Sequence, residues 1–164
     1  MFGTKIPLQW KTYAFRGRTR NSATFEIDNE KYNLTTDLYS IILPSQQNKS
    51  LEAIEVSFRR ILETGVPTVT QTAPKHPAKV FGIIYNEIQE AITTQAPDII
   101  FFSAKYINDG GNLVIYQELY DRILQHGYPG LPEPIENKNG VHFVLFNSNL
   151  KITKQDIAWI KNNI

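Results

Sequence analysis

The sequence predicts an α/β (α+β) fold in which a mixed, largely antiparallel central sheet is flanked by helices. Three observations carry that expectation. Apolar and polar residues alternate through the N-terminal third, the apolar period lengthens to that of a helix from Pro77, and a short run that is apolar on both faces, Asp98 to Ser103, follows that helix. No internal repeat, low-complexity segment or Gly/Ser linker divides the chain, so one domain is expected over residues 1–164.

The elements follow in order. Phe25 and Ile27 alternate with polar residues, as do Tyr32 and Leu34, across the short Asp28-Asn29-Glu30 connection, which is the pattern of a hairpin. Ile54, Val56 and Phe58 lie on one face of a strand predicted over Glu52 to Arg59, with Glu55, Ser57 and Arg59 on the other. Val80, Ile83, Ile84, Ile88, Ala91 and Ile92 recur at helical spacing, and this helix ends near Gln95 because Pro97 disfavours helical backbone before it.

The run from Asp98 to Ser103 reads as a central strand covered on both sides. Asp109-Gly110-Gly111-Asn112 supplies turn and cap chemistry for a second helix, whose stripe is Leu113, Tyr116, Tyr120, Ile123 and Leu124 and which Gly127 ends. A long loop, Pro129 to Gly140, leads to a strand over Val141 to Phe146. Thr153 with Asp156 three places on is a capping-box variant, opening a last helix that buries Ile157, Ile160 and Ile164.

Composition bounds the chemistry. With 164 residues, 41% hydrophobic and 20% charged, the chain has the size and balance of an ordinary globular domain. The absence of cysteine removes disulfide scaffolds, thiolate metal sites and cysteine nucleophiles, and is compatible with a reducing compartment. No stretch reaches the length of a signal peptide's apolar core or a membrane span, so a cytoplasmic protein is expected. The three histidines, His76, His126 and His142, show no metal-ligand spacing, and structural roles are expected for them. Phosphate-loop, dinucleotide and nucleophile-elbow signatures are missing. Glu87 with Glu90 and Glu118 with Asp121 are read as solvated helix faces.

The net charge of +1 conceals an uneven distribution. Among the first twenty residues Lys5, Lys11, Arg16, Arg18 and Arg20 face no acid, and Trp10, Tyr13 and Phe15 are interleaved with them. Cations with aromatic rings suit phosphate contact and base stacking, so Trp10, Lys11, Arg16, Arg18 and Arg20 are a candidate nucleic-acid-binding set. The competing reading is a first strand with cationic outward positions.

Residues 52 to 147 present strand, loop, helix, central strand, helix and strand in turn. That order, with Asn112, Leu119-Tyr120 and Gly127-Tyr128 in NLVIYQELYDRILQHGY and with the run Pro97 to Ala104, resembles the second half of the acyl-CoA-dependent N-acetyltransferase (GNAT) fold, over about the C-terminal two-thirds of the chain. The resemblance implies acetyl-CoA as cofactor, Asn112 near its pantetheine arm, and Tyr120 as the general acid for the departing thiolate. A phenol with a pKa near 10 is able to protonate such a leaving group. The competing reading of Tyr120 is a core tyrosine with a satisfied hydroxyl.

In that family a glycine-containing turn offers main-chain N–H groups to the cofactor's pyrophosphate at a helix N-terminus. The corresponding stretch, Gln71 to Pro77, has no glycine, and Pro74 and Pro77 each lack a donor. Gln71, Lys75 and His76 are the cofactor-binding candidates that remain. The spacing from Tyr120 to Gly127 is longer than the family's, and Phe15 to Leu43 reads as strands where the family has early helices. The expectation is a derived, non-catalytic relative that binds another macromolecule, with an active N-acetyltransferase and a nucleic-acid-binding protein as alternatives. The run from Lys79-Val80-Phe81 through Phe102-Ser103-Ala104, with Leu119 to Arg122, also resembles small proteins of phages and mobile elements, which implies a protein partner in a host.

Overall fold

A computed structural model describes residues 8–61, 67–68, 77–105, 113–125, 128–131 and 133–164. Strands β1 (Trp10–Phe15), β2 (Arg18–Ile27), β3 (Glu30–Ile41) and β4 (Leu51–Ile61) form an antiparallel meander, with the short β5 (Pro67–Thr68) against the end of β4. Helix α1 (Pro77–Gln95) then crosses over to β6 (Ile99–Lys105), which lies parallel to β4. Helix α2 (Leu113–Gln125) precedes the hairpin of β7 (Ile135–Asn137) and β8 (Gly140–Phe146), and α3 (Lys154–Asn163) closes the chain. The strand order is β1-β2-β3-β4-β6-β8-β7, so the sheet is mixed and largely antiparallel, as the sequence predicts.

Local chemistry accounts for the junctions. The β2–β3 hairpin pairs Ile27 with Glu30 across Asp28 and Asn29, whose φ values of 47° and 70° are those of a primed turn, which Asp and Asn tolerate. Glu30 therefore belongs to the strand, where it is buried and ion-paired with Arg60 at 3.2 Å. The Thr153 hydroxyl accepts from the Asp156 N–H while the Asp156 carboxylate accepts from the Thr153 N–H, completing the capping box at the start of α3.

The sheet buries two separate apolar layers. On one face α1 and α2 bring Val80, Ile84, Ile88, Tyr116 and Leu119 onto Leu34, Val56, Phe58, Phe102 and Phe143. The opposite face carries α3, whose Ile160 packs with Leu43, Leu51, Ala53, Ile99, Phe101 and Val144. Ile157 and Ile164 are only partly covered, short of the full burial their spacing suggests. The stretch from Pro129 to Gly140 is not simply a loop: Gly130 bridges to Leu145, and β7 adds an edge strand. Among the described residues no helix is long and apolar enough to cross a membrane.

Candidate functional site

The site with the clearest geometry is the junction between the two parallel strands at the centre of the sheet. Their ladder pairs Ala53 with Ile99, Ile54 with Ile100, Glu55 with Phe101 and Val56 with Phe102, then stops. β4 nevertheless runs on to Ile61 and β6 to Lys105, so the strands part and the sheet splits beyond Phe102. The closed end is fixed by Asp98, whose N–H donates to the Glu52 carbonyl at 2.9 Å and whose carboxylate accepts from the Glu52 N–H at 2.9 Å.

A split parallel pair leaves main-chain groups without their ladder partners, and burial makes an unmet N–H costly. The Glu52 carbonyl faces β6, and backbone direction repeats every second residue, so the main-chain groups of Phe58 face the same side. Tyr116 of α2 fills that place. Its hydroxyl accepts from the Phe58 N–H at 3.4 Å, and its ring stands edge-on to Phe58 at 5.6 Å and stacked on Phe102 at 6.0 Å. One phenol thus spans the two parted strands, with the residue 1% exposed.

The sequence assigned Tyr116 to an apolar stripe without seeing this role. Helical spacing reports that a side chain is buried, but the partners Phe58 and Phe102 come from strands that only the fold brings beneath it.

Tyr120, the candidate general acid, lies one turn further along α2 on the same buried side. Its hydroxyl donates to the Leu131 carbonyl and its ring rests on Phe143 at 5.6 Å. Burial pushes the phenol above its ordinary pKa, and the charge of Asp121 pushes it the same way. Gly130 makes this fit feasible, because a Cβ at that position would stand 2.5 Å from the Tyr120 hydroxyl. In this arrangement the proton of Tyr120 is directed at protein backbone. The cofactor-binding candidates Gln71, Lys75, His76 and Asn112 lie outside the described residues, as do Pro74 and His126.

Of the five N-terminal candidates, Lys11, Arg18 and Arg20 share one face of the sheet and Trp10 lies on the other. Pairing of β1 with β2 sets Trp10 opposite Ala23 and Lys11 opposite Ser22, which puts the two side chains on opposite faces. Arg20 forms a two-pronged ion pair with Asp37, both contacts at 2.7 Å. Arg18 reaches Glu55 at 2.6 Å and Asp37 at 3.6 Å, and its guanidinium lies 4.0 Å from the centre of the Tyr39 ring. Two cations are matched here by two carboxylates, so this part of the surface has little net charge to offer a phosphate backbone. Arg16 sits in the β1–β2 turn with φ 48°. No group of three or more His, Asp or Glu residues placed to hold a metal occurs among the described residues.

His142 belongs to a hydrogen-bonded chain that sequence spacing did not suggest. Its Nδ1 lies 2.8 Å from the Ser103 Oγ, and its Nε2 lies 2.9 Å from the Asn137 Oδ1. Strand register creates the cluster, pairing Ser103 with His142 and Ile135 with His142.

No family model matches this chain, and comparisons with curated proteins and with solved structures find no significant match either.

Proposed function

We propose that this chain is a divergent acetyltransferase-like domain that does not carry out thioester-dependent acetyl transfer and acts by binding a protein partner. Support for the first half is the strand arrangement: a largely antiparallel sheet whose central strand, β6, parts from its parallel neighbour, with α1 as the crossover and α2 behind. The observation that carries the second half is Tyr116. In an acetyltransferase of this class the split between the central strands is where the pantetheine arm is expected to seek main-chain partners; here a phenol from α2 occupies it and holds the Phe58 N–H. Tyr120, with its hydroxyl donated to Leu131, supports the same reading.

A macromolecular partner is favoured by the surface of the N-terminal meander. Trp10 is 36% and Tyr13 46% exposed on opposite faces of the edge strand β1, and aromatic side chains of this kind are enriched at protein interfaces. A protein suits this surface better than nucleic acid, because Arg18 and Arg20 are matched by Glu55 and Asp37. Calorimetric titration of the full chain with acetyl-CoA is the test. The expected outcome is no binding heat at millimolar cofactor; a saturable micromolar isotherm would overturn the proposal and restore the enzyme reading.

A further inference from the structure

Three strands on the α3-bearing side of the sheet bring a hydroxyl, an imidazole and an amide into one line. Asn137 is the fixed point of this line. Its Nδ2 donates to the carbonyls of Lys161 at 3.1 Å and Ile164 at 3.2 Å, and its Oδ1 accepts from the Asn139 N–H at 2.9 Å. Those contacts set the orientation of the amide, because both Nδ2 protons go to oxygen acceptors and an N–H is directed at Oδ1. The Oδ1 accepts only, so the His142 Nε2 that faces it at 2.9 Å carries the ring proton. His142 Nδ1 is then the basic nitrogen, and it faces the Ser103 Oγ at 2.8 Å. The orienting group, the base and the hydroxyl stand in the order and at the separations by which a serine is activated for attack.

Position adds to geometry. His142 is 2% exposed, so its ring is held by packing, whereas Ser103 is partly open to solvent. Ser103 is also the first residue of β6 beyond its ladder with β4, beside the split in the sheet.

We propose that Ser103 is a nucleophile, with His142 as its general base and Asn137 as the group that orients the base, and that it takes its acyl group from an activated ester. The Ser103 Oγ bonds to the ester carbonyl carbon as its proton passes to His142 Nδ1. The tetrahedral adduct then breaks its bond to the alcohol oxygen, and the alcohol leaves with that proton. Water attacks the acyl-serine, giving a proton to His142, and the carboxylic acid departs as Ser103 takes the proton back. The sum is ester plus water to acid plus alcohol. Asn137 Oδ1 stabilises the intermediate imidazolium through its bond to Nε2–H. The inference goes beyond the proposed function and uses neither acetyl-CoA nor the space filled by Tyr116.

The test is intact-mass and peptide mass spectrometry of the full chain after exposure to an alkyl fluorophosphonate, which phosphonylates an activated serine with loss of fluoride, together with release of nitrophenol from p-nitrophenyl acetate. The expected result is a single adduct on Ser103, absent in Ser103→Ala, with esterase turnover lost in the same variant while it still unfolds in one cooperative transition. His142→Gln is expected to label about 100-fold more slowly or worse, as removal of a general base implies. Because His142 is buried and that variant can fail to fold, wild-type chain unfolded in urea serves as the second control and is expected not to label. An adduct retained by Ser103→Ala, no adduct on the folded chain, or equal labelling in urea each overturns the proposal and leaves the three residues a structural network. The titration with acetyl-CoA reads neither residue, so failure of one proposal is distinguishable from failure of the other.

Discussion

The two faces of the sheet around β6 are finished in opposite ways, one with an aromatic ring and one with a polar chain. Where β4 and β6 part, the main-chain groups on their facing edges lose their ladder partners. On the α1/α2 side Tyr116 lies between Phe58 and Phe102, and its hydroxyl accepts from the Phe58 N–H. On the α3 side a polar chain, Ser103 to His142 to Asn137, runs away from the split across β6, β8 and β7 and begins at a partly buried serine. Aromatic packing closes the gap itself, whereas the hydrogen-bonded chain ties together the strands beside it. The two proposals, a closed acyl-CoA position and a serine nucleophile, therefore concern different places in one small sheet.

The largest expected effect breaks the closed side. Tyr116→Ala removes a fully buried aromatic from between two strands and is expected to cost about 3–5 kcal/mol, the range for deleting a large core ring. Equilibrium urea unfolding measures it; a loss under about 1 kcal/mol would mean that the side chain does not fill the split.

Asp156 probes the α3 side. It is 0% exposed and accepts from Ser45 N–H at 3.0 Å, Ser45 Oγ–H and Thr153 N–H at 3.0 Å. Burial alone would raise its pKa, but the hydrogen bonds from Ser45 and Thr153 outweigh it and hold the carboxyl below its ordinary 3.8. A depressed folded-state pKa gives stability that is fully present above the unfolded value and is lost as pH falls through the folded one. Asp156→Ala is expected to cost about 2–3 kcal/mol at neutral pH, since it strands donors bonded to a buried charge. The difference from wild type should shrink below about pH 4. A pH-independent difference in melting would contradict the assignment.

Gly130→Ala sharpens the comparison on the α2 side. The new methyl meets the Tyr120 hydroxyl at 2.5 Å and its ring carbon Cε2 at 2.8 Å, so the ring must shift and its bond to Leu131 must weaken. The expected loss is about 1–3 kcal/mol, the usual range for overpacking a buried contact, read as a lowered denaturation midpoint. The smallest effect belongs to the exposed half of the sheet. A double-mutant cycle on Arg20 and Asp37 should give a coupling of about 1 kcal/mol that falls in high salt, as for a partly exposed two-pronged pair. A salt-independent coupling would mean that the pair is more deeply shielded than its geometry indicates.

Much of the fold is legible in the residues. The helical period predicts α1 to its observed end at Gln95, and Thr153 with Asp156 marks the start of α3. Alternation in Phe25, Ile27, Tyr32 and Leu34 locates the β2–β3 hairpin and its buried face. β7 is illegible because three residues after Leu131-Pro132-Glu133-Pro134 are too few to show a period. The candidate sites are harder for a different reason. Phe58 and Tyr116 are 58 residues apart, and Ser103 and His142 are 39 apart. Their meeting depends on strand register and on the crossover through α1, neither of which leaves a spacing signature. A tyrosine in an apolar stripe and a histidine in an alternating strand each look ordinary alone.

The closed split is tested most directly by amide hydrogen exchange at Phe58. The account predicts that this N–H is protected in the free protein to the level of the β4 core around Val56, and that Tyr116→Phe, which keeps the ring but removes the acceptor, selectively lowers protection at Phe58. Exchange of the wild-type Phe58 amide as fast as that of an exposed loop, without acceleration in Tyr116→Phe, would show the split to be open and contradict the central claim.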